Sequence, residues 1–208
     1  MAYGSRVDDT LSASAIRGAE ASRVLDVVEG YFGARGVATR RTPSTSGGSE
    51  VRVFESCGDW TTVLWPPYFL PRDVAVGLNL SRELHTVVSA MSSVQGEGWS
   101  HTLIGCGTLL DRFHSYPAAL AWDAEDDLLA LARDWSGDPS LVARIFGVEE
   151  GRIRRHFCQA CPDARDHPGR DPWGFIALWA ALGVTYPEGR VAPYAVLEVD
   201  RCWQRLSA

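Results

Sequence analysis

Lysine is absent from this chain of 208 residues, so its twenty basic residues are all arginines, and 26 carboxylates outnumber them to give a net charge of −6. A surface that tracks a nucleic-acid backbone neutralises phosphates with clustered basic side chains. The dense basic runs here are Arg40-Arg41 and Arg152 to Arg155, and each reads as a solvated strand end or helix face. No nucleic-acid partner is expected. Long apolar runs are lacking as well, with nothing near the roughly 20 residues that span a bilayer. Met1 to Arg23 has no charged start leading into an apolar stretch, so neither a signal peptide nor a membrane partner is expected. Cysteine is scarce. Cys57, Cys106, Cys158, Cys161 and Cys202 form an odd, unevenly spaced set, which fits reduced thiols in the cytoplasm better than a disulfide framework. There is no internal repeat, no Gly-x-Ser-x-Gly elbow, no phosphate loop and no dinucleotide fingerprint.

What is present is the composition of a globular protein: 46% hydrophobic and 22% charged residues, unlike a disordered chain. Eight tryptophans is a high number for this length, and most should lie in the core.

The pattern predicts a flexible leader over residues 1–14, then a helix from about Ala15 to Arg35 carrying Val24, Leu25, Val28, Tyr31 and Phe32 at helical spacing. Gly36 sits where a left-handed residue ends a helix. Val37 to Thr42 reads as a strand. Val51 to Ser56 and Trp60 to Trp65 read as a hairpin ended by Pro66 and Pro67. A short helix spans about Arg72 to Leu84. Thr86 to Val94, Trp99 to Ile104 and Thr108 to His114 read as three antiparallel strands joined by glycine-bearing turns. Beyond Pro117 the pattern is mainly helical: Asp123 to Trp135, Asp138 to Gly147 with Asp138 as cap and Pro139 in the first turn, Glu149 to about Cys161, and Pro172 to Leu182. Tyr194 to Val199 adds one irregular strand. The expected fold is α+β: an antiparallel sheet of about five or six strands packed by helices, with residues 15–116 holding the sheet and 117–208 a mainly helical part of the same domain.

Candidate chemistry is thin. Cys158, Cys161 and His167 could supply three ligands to a tetrahedral zinc, with Cys158 and Cys161 on one face if the helix runs through them. A lone CxxC pair is as well explained by ordinary thiols, and its place near a helix C-terminus disfavours a redox dithiol. No other cofactor is indicated. Cys57 and Cys106 lie on glycine-flanked turns, and His85, His101 and His114 come from nearby strands, so a Cys–His pair is conceivable across the sheet. His101 shares a face with Trp99 and Leu103, however, which makes it a hydrogen-bonded core residue rather than a base. The carboxylates Asp123, Glu125, Asp126 and Asp127 are accounted for by the positive end of a helix. The segment from Trp65 to Pro71 pairs rigid prolines with aromatics, which makes Trp65, Tyr68 and Phe69 candidate partner-binding anchors beside the plainer reading of a packed connection.

Gly58-Asp-Trp60 before a strand, Leu80-Ser-Arg-Glu-Leu84 closing a helix, Leu110-Asp-Arg-Phe113 ending a hairpin and Leu182-Gly-Val-Thr-Tyr-Pro187 after a helix form one arrangement over residues 50–187. It resembles a loose group of small bacterial α+β proteins of the kind found beside toxin and immunity genes. The resemblance implies a non-enzymatic, immunity-like module and brings no catalytic residue with it. The charge adds that its protein partner would be basic. The alternative is a small-molecule enzyme or ligand-binding protein, with a pocket between sheet and helices using the same Cys and His groups.

Overall fold

The computed structural model describes residues 10–42, 50–69, 73–94, 97–121, 123, 126–160, 171–187 and 191–200. Among them, eight strands form one sheet: β1 (Thr10–Arg17), β2 (Thr39–Thr42), β3 (Glu50–Val53), β4 (Trp60–Trp65), β5 (Val87–Val94), β6 (Gly98–Gly105), β7 (Thr108–His114) and β8 (Ala195–Val199). Six helices accompany them: α1 (Ala21–Gly33), α2 (Asp73–Glu83), α3 (Leu128–Asp134), α4 (Pro139–Phe146), α5 (Glu150–Arg154) and α6 (Gly174–Ala181). The strand order is β2-β8-β3-β4-β1-β5-β6-β7, and the paired neighbours are antiparallel. The α+β class and the antiparallel sheet stand as expected. The strand number is larger for two reasons: β1 is a strand the pattern hid, and β8, expected only as an irregular tail strand, joins the same sheet.

The first is β1. Residues assigned to a leader and to the start of a helix instead form a strand between β4 and β5 in the middle of the sheet. Leu11-Ser-Ala-Ser-Ala-Ile16 carries little of the β-branched and aromatic bulk that marks strands. Its small side chains are buried on both faces, where neighbouring strands and covering helices leave little room. Its serine hydroxyls are bonded: Ser12 Oγ donates to Asp73 Oδ2 at 2.9 Å, and Ser14 Oγ accepts from Trp65 Nε1 at 2.9 Å. The second is β8. It lies between β2 and β3, so the C-terminal half contributes an interior strand as well as helices.

The sheet has a filled layer on each face. On one side Ile16, Val63, Trp65, Val88 and Ile104 pack against Val24, Leu25, Val28 and Phe32 of α1 and Val76 and Leu80 of α2. On the other, Ala13, Ala15, Leu64, Met91, Leu103 and Phe113 meet Val142 and Phe146 of α4, Ile153 of α5 and Phe175, Leu178 and Trp179 of α6. Burial on both faces explains why all six residues of β4 are out of solvent. Helix ends follow their chemistry. Asp138 Oδ1 accepts from Ser140 N and Leu141 N at the start of α4, Pro139 fills its first turn, and Gly147 ends it in the left-handed region at φ 70°. Asp127 caps α3 in the same way.

Candidate functional site

The anchors proposed between Trp65 and Pro71 are interior. Trp65 is 4% exposed and Phe69 1%, and their rings stack at 5.1 Å beneath α1. Phe69 also meets Phe32 edge-on at 5.8 Å. A chain turning back on itself, with Phe69 N–H bonded to Pro66 O at 2.9 Å, folds both rings under the sheet. Trp65 and Phe69 therefore belong to the packed connection, not to a partner surface. Tyr68 lies in the same turn, and its side chain falls outside the described residues.

The zinc candidates are not assembled within the described residues. Cys161 and His167 lie outside them. Cys158 is an exposed free thiol, and no group of three potential metal ligands occurs among the described residues. The helix expected to run through Cys161 stops at Arg154, four residues before Cys158, so helical geometry does not align the pair. A short amphipathic stretch, Glu150–Arg154, buries only Ile153 and gives no reason for further turns.

The ladder separates Cys57 from Cys106 and Cys106 from His114, while Cys106 and His85 occupy adjoining turns. Cys57 precedes β4 and Cys106 follows β6, at one end of the sheet but three strand spacings apart, roughly 14 Å. His114 is at the far end of β7 from Cys106, roughly 20 Å along the strand. Cys57 instead bonds Thr185 Oγ1 at 3.5 Å. Cys106 occupies a two-residue turn with Gly107, both at positive φ (48° and 78°), as tight hairpins require. Its N–H donates to Thr86 O at 3.4 Å, next to His85, which is also left-handed at φ 51°. Ser81 Oγ ties the two turns, donating to Thr86 O and accepting from Gly107 N.

The two strand histidines are structural. His101 has no exposure, and its Nε2 lies 3.0 Å from Ser89 Oγ, which in turn accepts from Trp179 Nε1 at 3.0 Å. Trp can only donate, so Ser89 Oγ accepts from it, while the Ser89–His101 bond runs in whichever direction the imidazole tautomer sets. His101 Nδ1 is buried with no hydrogen-bond partner among the described residues. Burial pushes the ring pKa down to about 4. His114 is likewise driven to about 4 by burial; its Nδ1 accepts from Tyr116 N at 3.0 Å and its ring meets Trp135 edge-on. Both stay neutral at physiological pH, and neither faces a thiol. Asp73 is also inside, its carboxyl raised by burial and only partly restored by the Ser12 hydroxyl and the Val74 amide.

An open depression of about 460 Å³ lies where Leu25 of α1 meets Arg41, Thr42, Tyr194, Ala195 and Val196 on the β2 side of the sheet. None of the Cys or His candidates lines it. Its Arg41 is already engaged by Glu29 through two bonds of 2.9 and 2.8 Å, which hold the Glu29 carboxyl below its usual range.

A different region stands out for what it leaves uncovered. Edge strand β7 exposes Leu109 (45%) and Leu110 (38%), and α3, which packs against β7, exposes Leu128 (41%) and Leu129 (78%) while burying no residue at all. Carboxylates surround it. Asp123, Asp126, Asp127 and Asp134 flank or belong to α3, and Asp111 and Asp138 meet beside β7, where Asp138 N donates to Asp111 Oδ1 at 2.9 Å. Burial, with the Asp138 charge adding to it, raises the Asp111 carboxyl. Arg112 is the counterweight, bonded to Asp134 O at 2.9 Å and lying over the Trp135 ring at 4.8 Å. Sequence reasoning missed this region because a run such as Leu128-Leu-Ala-Leu131 reads as core. What pointed to it was the dense acidic stretch directly before it.

The chain matches no protein-family model, and no curated protein and no solved structure is significantly similar to it.

Proposed function

We propose that this protein is a non-enzymatic, immunity-like binding module whose partner is a basic protein. The observation that carries the reading is the exposure of four leucines on β7 and α3 within a field of carboxylates. Apolar groups at the centre of such a surface supply contact energy, and the surrounding charge raises the encounter rate and selects the partner's sign. The remaining chemistry supports the same view. His101 and His114 are consumed by the interior, and the exposed thiols Cys57, Cys106 and Cys158 each lack a hydrogen-bonded imidazole among the described residues. The depression beside Arg41 contains none of the residues that the pocket-based alternative invoked.

The test is affinity capture from the native host with the wild-type chain and with a Leu129→Glu, Asp134→Arg variant. A basic protein retained by the wild type, lost by the variant and released by salt supports the reading. A partner that is acidic, or one retained equally by both, overturns it.

A further inference from the structure

We infer that the upstream half of β7, from Thr108 to Leu110, receives an extended, arginine- or lysine-bearing segment of the partner protein as an added outer strand; the inference rests on the binding reading above. The sheet has two edges, and they differ in kind. β2 is four residues long and carries Arg40 and Arg41, paired with Glu198 and Glu29. Short length and charge are how natural sheets discourage strand addition. β7 is seven residues long, and toward its hairpin end it shows Leu109 and Leu110 to solvent with no charge between them. Its downstream half is already occupied by this chain: His114 N–H donates to Trp135 O at 2.9 Å, and Phe113 bridges Ser136 in antiparallel fashion. The protein thus begins a ninth strand along β7 and does not continue it upstream among the described residues. A bulge between Leu103 and Ile104 shifts the register at this point, so Leu110 falls outside the ladder pairs.

Charge decides the occupant. Asp111, Asp134 and Asp138 adjoin the open edge and Asp127 lies at the start of α3; Arg112 with Arg133 offsets only part of them, and Arg82, which packs on Gly107 at the hairpin, is itself paired with Glu83. A second copy of the chain would bring the same carboxylates and its own net charge of −6 to the contact, so self-pairing is opposed by repulsion. A segment alternating basic and β-branched residues meets each demand. Its backbone continues the ladder, its apolar side chains cover the leucines, and its cations face the carboxylates.

The experiment uses the full chain and a fluorescein-labelled eight-residue peptide of alternating Arg and Val, followed by fluorescence anisotropy and by amide exchange of the complex. Expected are saturable binding, slowed exchange over Thr108–Arg112, and roughly tenfold weaker binding by Leu109→Asp, as the loss of one buried leucine contact predicts. Leu129→Glu, at a position too exposed to affect folding, weakens it in the same direction. A peptide with Glu in place of Arg does not bind. Binding that Leu109→Asp leaves unchanged, with exchange slowed elsewhere, overturns strand addition and leaves the basic-partner reading intact. Absence of peptide binding also overturns strand addition, and the capture experiment then judges the binding reading by itself. A salt-independent dimer dissolved by Leu109→Asp would make the occupant a second copy and overturn the inference.

Discussion

Ser89 on β5 and His101 on β6 are joined inside the α4–α6 layer, hydroxyl to Nε2 at 3.0 Å, with Trp179 of α6 closing the chain from the other side. This relationship ties the sheet to its covering helix, and burial keeps the imidazole in its neutral form. A stability consequence follows. The unfolded imidazole protonates near 6.5, whereas the folded one resists until about 4. Between those values the unfolded chain binds more protons, so stability is full above 6.5 and is lost as pH falls toward 4. His101 alone accounts for up to roughly 3 kcal/mol of that loss, and His114 acts in the same direction. The buried Asp73 carboxyl works oppositely, because acid relieves its burial. Urea midpoints measured from pH 7 to pH 4 should fall, and the slope should be shallower in His101→Gln. An unchanged slope would locate the acid sensitivity elsewhere.

Removing the hydroxyl between the two rings should be worse than its size suggests. Ser89→Ala leaves both Trp179 Nε1 and His101 Nε2 buried without their shared partner. Each orphaned group costs roughly 1 to 3 kcal/mol. Denaturant unfolding should show a loss of at least 2 kcal/mol, by roughly the same rule, with no new exposed thiol or altered partner affinity once folded.

Trp65 provides the complementary case. Because its ring stacks on Phe69 and bonds Ser14, Trp65→Ala should lower stability by roughly 3 to 5 kcal/mol. Any Trp65 variant that remains folded, such as Trp65→Phe, should bind partner as the wild type does. A selective loss of affinity at unchanged stability would restore the surface-anchor role.

The α4 cap is a smaller, local test. Asp138 Oδ1 accepts from two backbone amides and from the Ser140 hydroxyl, which holds its carboxyl below the ordinary range. Asp138→Ala should cost about 1 kcal/mol, and Asp138→Asn less, by thermal or chemical unfolding.

Sequence and structure agree where side-chain periodicity and turn residues speak together. Trp60–Trp65, Thr108–His114, the hairpin turns and the Asp138-Pro139…Gly147 helix were legible because bulk, caps and glycines mark them locally. β1 was not, since Ala and Ser are poor strand formers and only the crowding between β4 and β5 makes them suitable. β8 was visible as a strand, but its place beside β3 is set by pairing across some 140 residues, which no local pattern encodes. At the site level, His101 was legible as a core residue through its alternation with Trp99 and Leu103. Trp65 and Phe69 were misread because proline-framed aromatics look alike whether they face water or fold beneath a sheet. The exposed leucines of α3 were illegible for the converse reason: apolar residues declare a wish for burial, not whether this chain supplies it.

The account depends most on the imidazoles of β6 and β7 being sealed within the fold, where His101 is wholly and His114 almost wholly out of solvent. The direct test is a titration of the histidine ring nitrogens by NMR from pH 8 to pH 5. The rings of His101 and His114 should remain neutral throughout. Protonation of His101 near pH 6.5, in a protein that stays folded, would place that ring in contact with water and contradict the account.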